Sequence, residues 1–352
     1  MNSDPRKILV IDFGQLGDVV LSLPALAAVR GRFPRARVTV AVGKPGVPVV
    51  EMSGYADEVM GVDRVALRDG PKPMSILRIV QFVKDVRRER YDLVIDLHSL
   101  SETNLLGFFS GASQRLFARR PGRSLDFLSN FHTRPPVEDA KKHAIDRYLD
   151  VLRPLDVGEV SRVPRLRTRA EDHAAVDEFL KQELPRKERA RSSNSSDDAP
   201  LVGLFPGAGH PSRRWPLERF AELARRLEGN DSVRALLFAG PEERRVVREA
   251  RAQFPRSTIL LDRLSVPQLA AAQERLAVFV SNDTGPMHIA AAVGTPVVIL
   301  MQHHAAFECY IPPGERHRVV HAPTIEEITT DAAYTATRAA FTAERTASLF
   351  AS

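Results

Sequence analysis

Cysteine is nearly absent from this sequence: Cys309 stands alone among 352 residues. One thiol makes no internal disulfide and no cysteine metal cluster, so a reducing compartment, the cytoplasm, is the expected location. Aromatic residues are few, at 7%. No basic run is interleaved with them, which argues against a nucleic-acid partner. Long hydrophobic runs are missing too. AAAVGTPVVILM is among the longest; it falls short of the ~20 residues that span a bilayer and carries Gly and Pro. No basic stretch followed by an apolar run marks a secretory leader. The dinucleotide fingerprint G-x-G-x-x-G does not occur, and no D-x-D pair is placed to hold a metal. Neither a metal nor a cofactor is expected.

What is present is an alternation of buried-strand and helix patterns. KILVIDF, RVTVAVG and YDLVIDLHS in the first half are continuous apolar runs of the parallel-sheet kind, separated by helical stretches. The helix after KILVIDF contains Pro24, which should kink it or end its first turns. A long amphipathic helix is expected over 75–90. Its apolar stripe (Ile76, Ile79, Val80, Val83, Val86) suits core packing, with a membrane-surface role as the alternative.

The character changes in PRKERARSSNSSDDAP, which has nothing to bury beyond Ala and Pro and reads as an exposed connection. After it the alternation resumes through LVGLF, VRALLFAG, STILLD, AVFVSND and PVVILM, and an Ala-rich helix or two closes the chain. The expected fold is α/β: two Rossmann-like, doubly wound parallel-sheet domains facing across a cleft. Expected boundaries are 1–165, a connecting segment over 166–199, 200–328, and a helical end over 329–352.

Three loops at strand ends carry candidate chemistry. SNDTGPMHIAAAVGTP delivers Asp283, Thr284 and Gly285 to a helix N-terminus, with His288 on its first turn. Free N–H groups and the helix dipole there favour a diphosphate. FPGAGHPSRRWPLERF holds Arg213 and Arg214 on a glycine loop, and either can neutralise a leaving diphosphate. FAGPEE places Glu242 and Glu243 at a strand end, where a carboxylate accepts from ribose hydroxyls. The third loop, IDFGQLGDVV, is the odd one. It has the strand, turn and helix of a phosphate loop, yet Asp18 would repel an anion. With the diphosphate on the second half, Asp18 can instead take the proton of an acceptor hydroxyl, and Gly14 and Gly17 give that acceptor room. Taken alone, Asp18 reads equally as an ordinary helix cap.

GQLGDVVLSLPAL, PGAGHPSRRWPLERFAELA, FAGPEE and SNDTGPMHIAAAVGTPVV together resemble, in order and spacing, glycosyltransferase family 9, the ADP-heptose:lipopolysaccharide heptosyltransferases. HAIDRYLDVL resembles that family's interdomain segment. The resemblance implies a GT-B fold and an inverting, metal-independent sugar transfer from a nucleotide-diphosphate sugar, ADP-heptose. The acceptor it implies is an anionic lipid-linked oligosaccharide on the inner face of the membrane, with peripheral membrane contact. It implies Asp18 as catalytic base, and Arg213, Asp283, Thr284, Gly285, His288 and one of Glu242 or Glu243 as donor contacts. Arg64, Arg68, Lys72, Arg119, Arg120 and Arg123 are candidates for the acceptor's charges. Two positions depart from the family: Asp12 stands where Arg is common, and Ser99 where Gly is common. Other readings of the same scaffold are a sugar-nucleotide epimerase and a non-catalytic sugar-nucleotide or glycan binder.

Overall fold

Strands buried on both faces must be nearly all apolar, and in the first half such runs form the middle of one five-stranded parallel sheet. In the computed structural model, which describes residues 4–63, 72–183 and 199–349, its strands are β1 (Lys7–Asp12), β2 (Arg37–Gly43), β3 (Glu58–Val62), β4 (Leu93–Asp96) and β5 (Gln114–Phe117). Their order is β3-β2-β1-β4-β5. The order reverses between β1 and β4, which pair in parallel through Ile8↔Leu93 to Ile11↔Asp96. In a doubly wound sheet that reversal is where loops part and a ligand enters.

The second sheet has β6 (Leu201–Phe205), β7 (Arg234–Phe238), β8 (Ile259–Leu261), β9 (Val278–Asn282), β10 (Val297–Gln302) and β11 (Arg318–Ala322), ordered β11-β10-β9-β6-β7-β8. Here the reversal lies between β6 and β9, paired from Val202↔Val278 to Phe205↔Ser281. The chain divides into two compact units, Met1–Pro164 with Ala305–Ile311, and Arg165–His304 with Pro312–Ser352.

Several elements differ from the sequence reading. Pro24 does not end its helix, which runs unbroken over Leu16–Arg32. A mid-helix proline costs about 3 kcal/mol. Val19, Val20, Leu21, Leu23, Leu26 and Val29 around it are all buried, and each buried aliphatic side chain contributes roughly 1.5–3 kcal/mol. Packing wins. The helix expected over 75–90 spans Lys72–Arg88. Val86 is buried with Phe82 and Val83 packed beside it, while Ile79 and Val80 are 44% and 43% exposed, so the stripe is only partly core. β5 and β11 were not visible as apolar runs, because QRLF and RVVHA mix charge into short edge strands. Arg64, Arg68 and most of the Ser-rich segment lie outside the described residues, as does the Lys72 side chain.

Candidate functional site

Asp12 ends β1 and is buried, 1% exposed. The Gly14 N–H donates to its Oδ1 at 3.0 Å. Gln15 is the N-cap of the Leu16–Arg32 helix, so Asp18 is the third helical residue rather than the cap. The Asp18 Oδ2 accepts the Gln15 N–H at 3.0 Å, reaching back over the turn as the acid of a capping box does. This fixes the carboxylate at the helix N-terminus, where the dipole favours its charge. Gly14 is required by closeness. A Cβ there would lie 2.5 Å from the Asp18 Cβ and 3.0 Å from Asp12 Oδ1, so both acids converge on space a side chain would fill. Gly17 is the second residue of the helix.

Around this turn stand Arg120 and Tyr148. Arg120 is ion-paired with Glu138, which also takes Arg147 at 3.2 Å. Tyr148 lies on the Ala144–Val151 helix, which packs against the Leu16–Arg32 helix. Burial first, then Asp12 and Asp18, pushes its hydroxyl well above the ordinary tyrosine range. Arg119 pairs with Asp126 at 3.5 Å, and Arg123 is exposed.

At the end of the neighbouring β4, Asp96 is fully buried. Its carboxyl is pushed up to about 7 by burial, although Ser99 N–H and Asn104 Nδ2 both donate to it at 2.7 Å. Ser99 takes φ 47°, the left-handed region that Gly normally fills. Its hydroxyl donates to the Ala118 carbonyl at 2.9 Å and accepts from Asn104 at 3.1 Å. Those bonds offset the strain that a glycine would avoid.

In the second unit, the buried side chain of Asn282 binds two loops together. Its Nδ2 donates to the carbonyls of Pro206 and Gly207 at 2.8 and 3.2 Å, and its Oδ1 accepts the Trp215 N–H at 3.0 Å. Asp283 follows and pairs with Arg213 at 3.4 Å. Thr284 is the N-cap of the Gly285–Ala292 helix, in extended conformation and with no side-chain capping bond. Its hydroxyl is not committed to the helix end. His288 is buried on the first turn. The two arginines of the β6 loop separate in role. Arg214 donates through Nε and Nη2 to the Ala208 carbonyl, at 3.0 and 2.9 Å, and braces its own loop. Arg213 extends to Asp283.

The two glutamates separate as well. Glu242 is exposed. A Cβ on Gly207 would lie 2.6 Å from the Glu243 Cδ, and one on Gly240 2.9 Å from its Oε2. The Glu243 carboxylate is therefore held between the ends of β6 and β7, and burial is the first cause of its raised proton affinity. Sequence reasoning passed over Asn282 and gave Asp12 no role. Asn282 shows no local signal, since its partners lie 67 to 76 residues away. For Asp12 a signal existed: an acid closing an otherwise apolar strand.

Two all-parallel, doubly wound sheets, each with charged loops where its strand order reverses, define the GT-B class of glycosyltransferase folds. The chain belongs to glycosyltransferase family 9 (heptosyltransferase), whose family model matches residues 79–327. It is a glycosyltransferase, and the epimerase and non-catalytic readings give way to that membership. It is 26% identical over 305 residues to lipopolysaccharide heptosyltransferase 2 of Salmonella typhimurium, covering 84% of this chain and 82% of that one. Among solved structures, the family 9 glycosyl transferase of Veillonella parvula superposes with a TM-score of 0.81 at 24% identity, covering 96% of this chain and 98% of that one. The E. coli heptosyltransferase WaaC with ADP-2-deoxy-2-fluoro heptose gives 0.71 at 20% identity, covering 94% and 98%. No helix among the described residues is long and apolar enough to cross a membrane.

Proposed function

We propose that the protein moves a heptose from ADP-heptose to the inner core of a lipopolysaccharide-type acceptor, inverting the anomeric carbon without a metal. Support for the sugar and acceptor comes from the names of the relatives, and for the ADP from the nucleotide sugar in the WaaC structure. The observation that carries the reading is the Asn282 bracket. It fixes a basic loop bearing Arg213 beside a helix N-terminus bearing Thr284, the combination a diphosphate needs.

Asp18 takes the proton of the acceptor hydroxyl as its oxygen bonds to the anomeric carbon. The bond from that carbon to the diphosphate oxygen breaks, and its electron pair leaves with ADP. Arg213, the Thr284 hydroxyl and the first N–H groups of the Gly285–Ala292 helix stabilise the departing charge. A nucleotide leaving group needs no protonation, so one carboxylate suffices where a glycosidase uses two. Glu243, at the ends of β6 and β7, is assigned to the ribose hydroxyls. Arg119, with Arg64 and Arg68, is assigned to the acceptor's anionic groups. The place of action is the cytoplasmic side of the membrane, where nucleotide sugars are available.

The test is product mass and anomeric configuration after incubation with ADP-heptose and a defined heptose-deficient core acceptor. A single added heptose of inverted configuration is expected. Transfer only from a different nucleotide sugar would reject the donor assignment, and retained configuration would reject the single displacement.

A further inference from the structure

The reaction proposed above leaves Asp12 without a role, although it converges with Asp18 on the space beside Gly14. Its side chain is buried, and its Oδ2 finds no hydrogen-bond partner among the described residues. An isolated ionised carboxylate in that position is costly unless a cation or several donors compensate it. The surrounding groups do not. On the Leu16–Arg32 helix, Asp18 opposes its charge; the Ser22 hydroxyl favours it but is donated to the Val19 carbonyl at 3.0 Å. Arg120 favours the charge but is itself paired with Glu138. On the Ala144–Val151 helix, Tyr148 faces both acids. On the adjoining β4, Asp96 is turned to Ser99 and Asn104. The Gly14 N–H is the one donor bonded to Asp12 among the described residues, on Oδ1.

We propose that Asp12 is a positioning residue for the transfer: a carboxylic acid held neutral beside Asp18, so that Asp18 alone carries the negative charge of the pair. Its Oδ1 ties down Gly14, and the turn that aims Asp18 is thereby fixed without placing a second anion beside it. Burial, which is the first cause raising Asp12's proton affinity, and the neighbouring Asp18 act in the same direction. The sign follows. On raising the pH, Asp12 keeps its proton beyond the ordinary carboxyl range.

The role in turnover rests on Asp18 acting as the base; the order of titration does not. Carbon-13 NMR of the full chain with carboxyl-labelled aspartate, assigned with Asp12→Asn and Asp18→Asn, reads that order directly. Asp12 titrating above Asp18 is expected, and Asp12 titrating first overturns the proposal. In turnover, Asp12→Asn replaces a neutral acid by a neutral amide, so the acid limb of its pH profile should stay in place. A limb moved to lower pH would show that Asp12 had been charged beside Asp18, and loss of turnover in a folded Asp12→Asn protein would show that its acidity is needed. Either result overturns the proposal. If Asp12→Asn fails to fold, the wild-type titration still decides. If Asp18→Asn keeps its rate, the base assignment fails on its own, and the NMR order still decides which of the two acids holds the proton.

Discussion

At the end of β1 the chain turns through Gly14 and Gln15 and gathers carboxylates, Asp12 and Asp18, on one small space. At the end of β9 it turns through Asp283 and Thr284, gathers Arg213, and fastens two loops with the buried amide of Asn282. Both turns sit where a doubly wound sheet reverses its strand order, and both lead into a helix N-terminus. Backbone alone would make either an anion site. Side chains decide otherwise at β1, where the helix N-terminus is taken by the protein's own carboxylate. On the reading proposed above, the same supersecondary unit serves proton transfer in one half and charge neutralisation in the other. Four measurements test that contrast.

The largest effect belongs to Asp18. Asn at this position can still accept the Gln15 N–H, so Asp18→Asn should fold and bind ADP nearly as wild type. Turnover should fall by roughly 10²–10⁴, the usual loss with a general base. A near-normal rate would leave the β1 turn as a helix-capping device and nothing more.

Asn282→Ala should follow. It leaves the Trp215 N–H and the Pro206 and Gly207 carbonyls without their partner in a buried place, and each such group costs roughly 1–3 kcal/mol. Thermal unfolding should move down by several degrees and ADP affinity should drop with it. Unchanged melting and unchanged affinity together would show that the two loops hold their geometry without the bracket.

Arg213→Ala should weaken ADP by roughly 10- to 100-fold, the range for losing a charge-assisted hydrogen bond. Its neighbour gives the control. Arg214→Ala removes the brace on Ala208 and should lower melting temperature more than it lowers affinity. Calorimetry on the two variants separates the roles, and an exchange of phenotypes would reverse the assignment.

How much of this contrast the sequence carried differs between its two sides. Parallel strands buried on both faces leave a strong signal, and KILVID, RVTVAVG and LVGLF announce themselves. Edge strands do not, which is why QRLF and RVVHA were not read as strands. Asp18, Arg213 and Thr284 stood out as candidates because strand, turn and helix follow one another locally. Residue type alone does not tell Arg213 from Arg214; the family resemblance singled out Arg213, and the fold shows the Arg214 guanidinium folding back on Ala208. Glu242 and Glu243 could not be told apart until Gly207 and Gly240 were seen to enclose the second of them. Asn282 was invisible for a further reason. Its work is done on residues brought near by the pairing of β6 with β9, and no spacing in the chain records that pairing.

The smallest effect expected is that of chelation, and the contrast explains why. A diphosphate leaving group must meet positive charge in the transition state, and many enzymes supply it with a divalent ion. Here the β6 loop brings the Arg213 guanidinium to Asp283 at the β9 turn, beside a helix N-terminus worth about half a positive charge. Asp283 beside Arg213 is already paired with it at 3.4 Å, so its carboxylate is engaged by a cation that the protein itself provides. Turnover in excess EDTA should therefore equal turnover without it, and added Mg²⁺ or Mn²⁺ should not raise the rate. Arg213→Ala makes the test sharper. If the arginine stands in for a metal, that variant should be the one whose residual rate responds to Mg²⁺, while the wild type stays flat. A wild-type rate lost to EDTA and restored by Mg²⁺ would move the charge neutralisation from Arg213 to an ion and end the proposed division between the two turns.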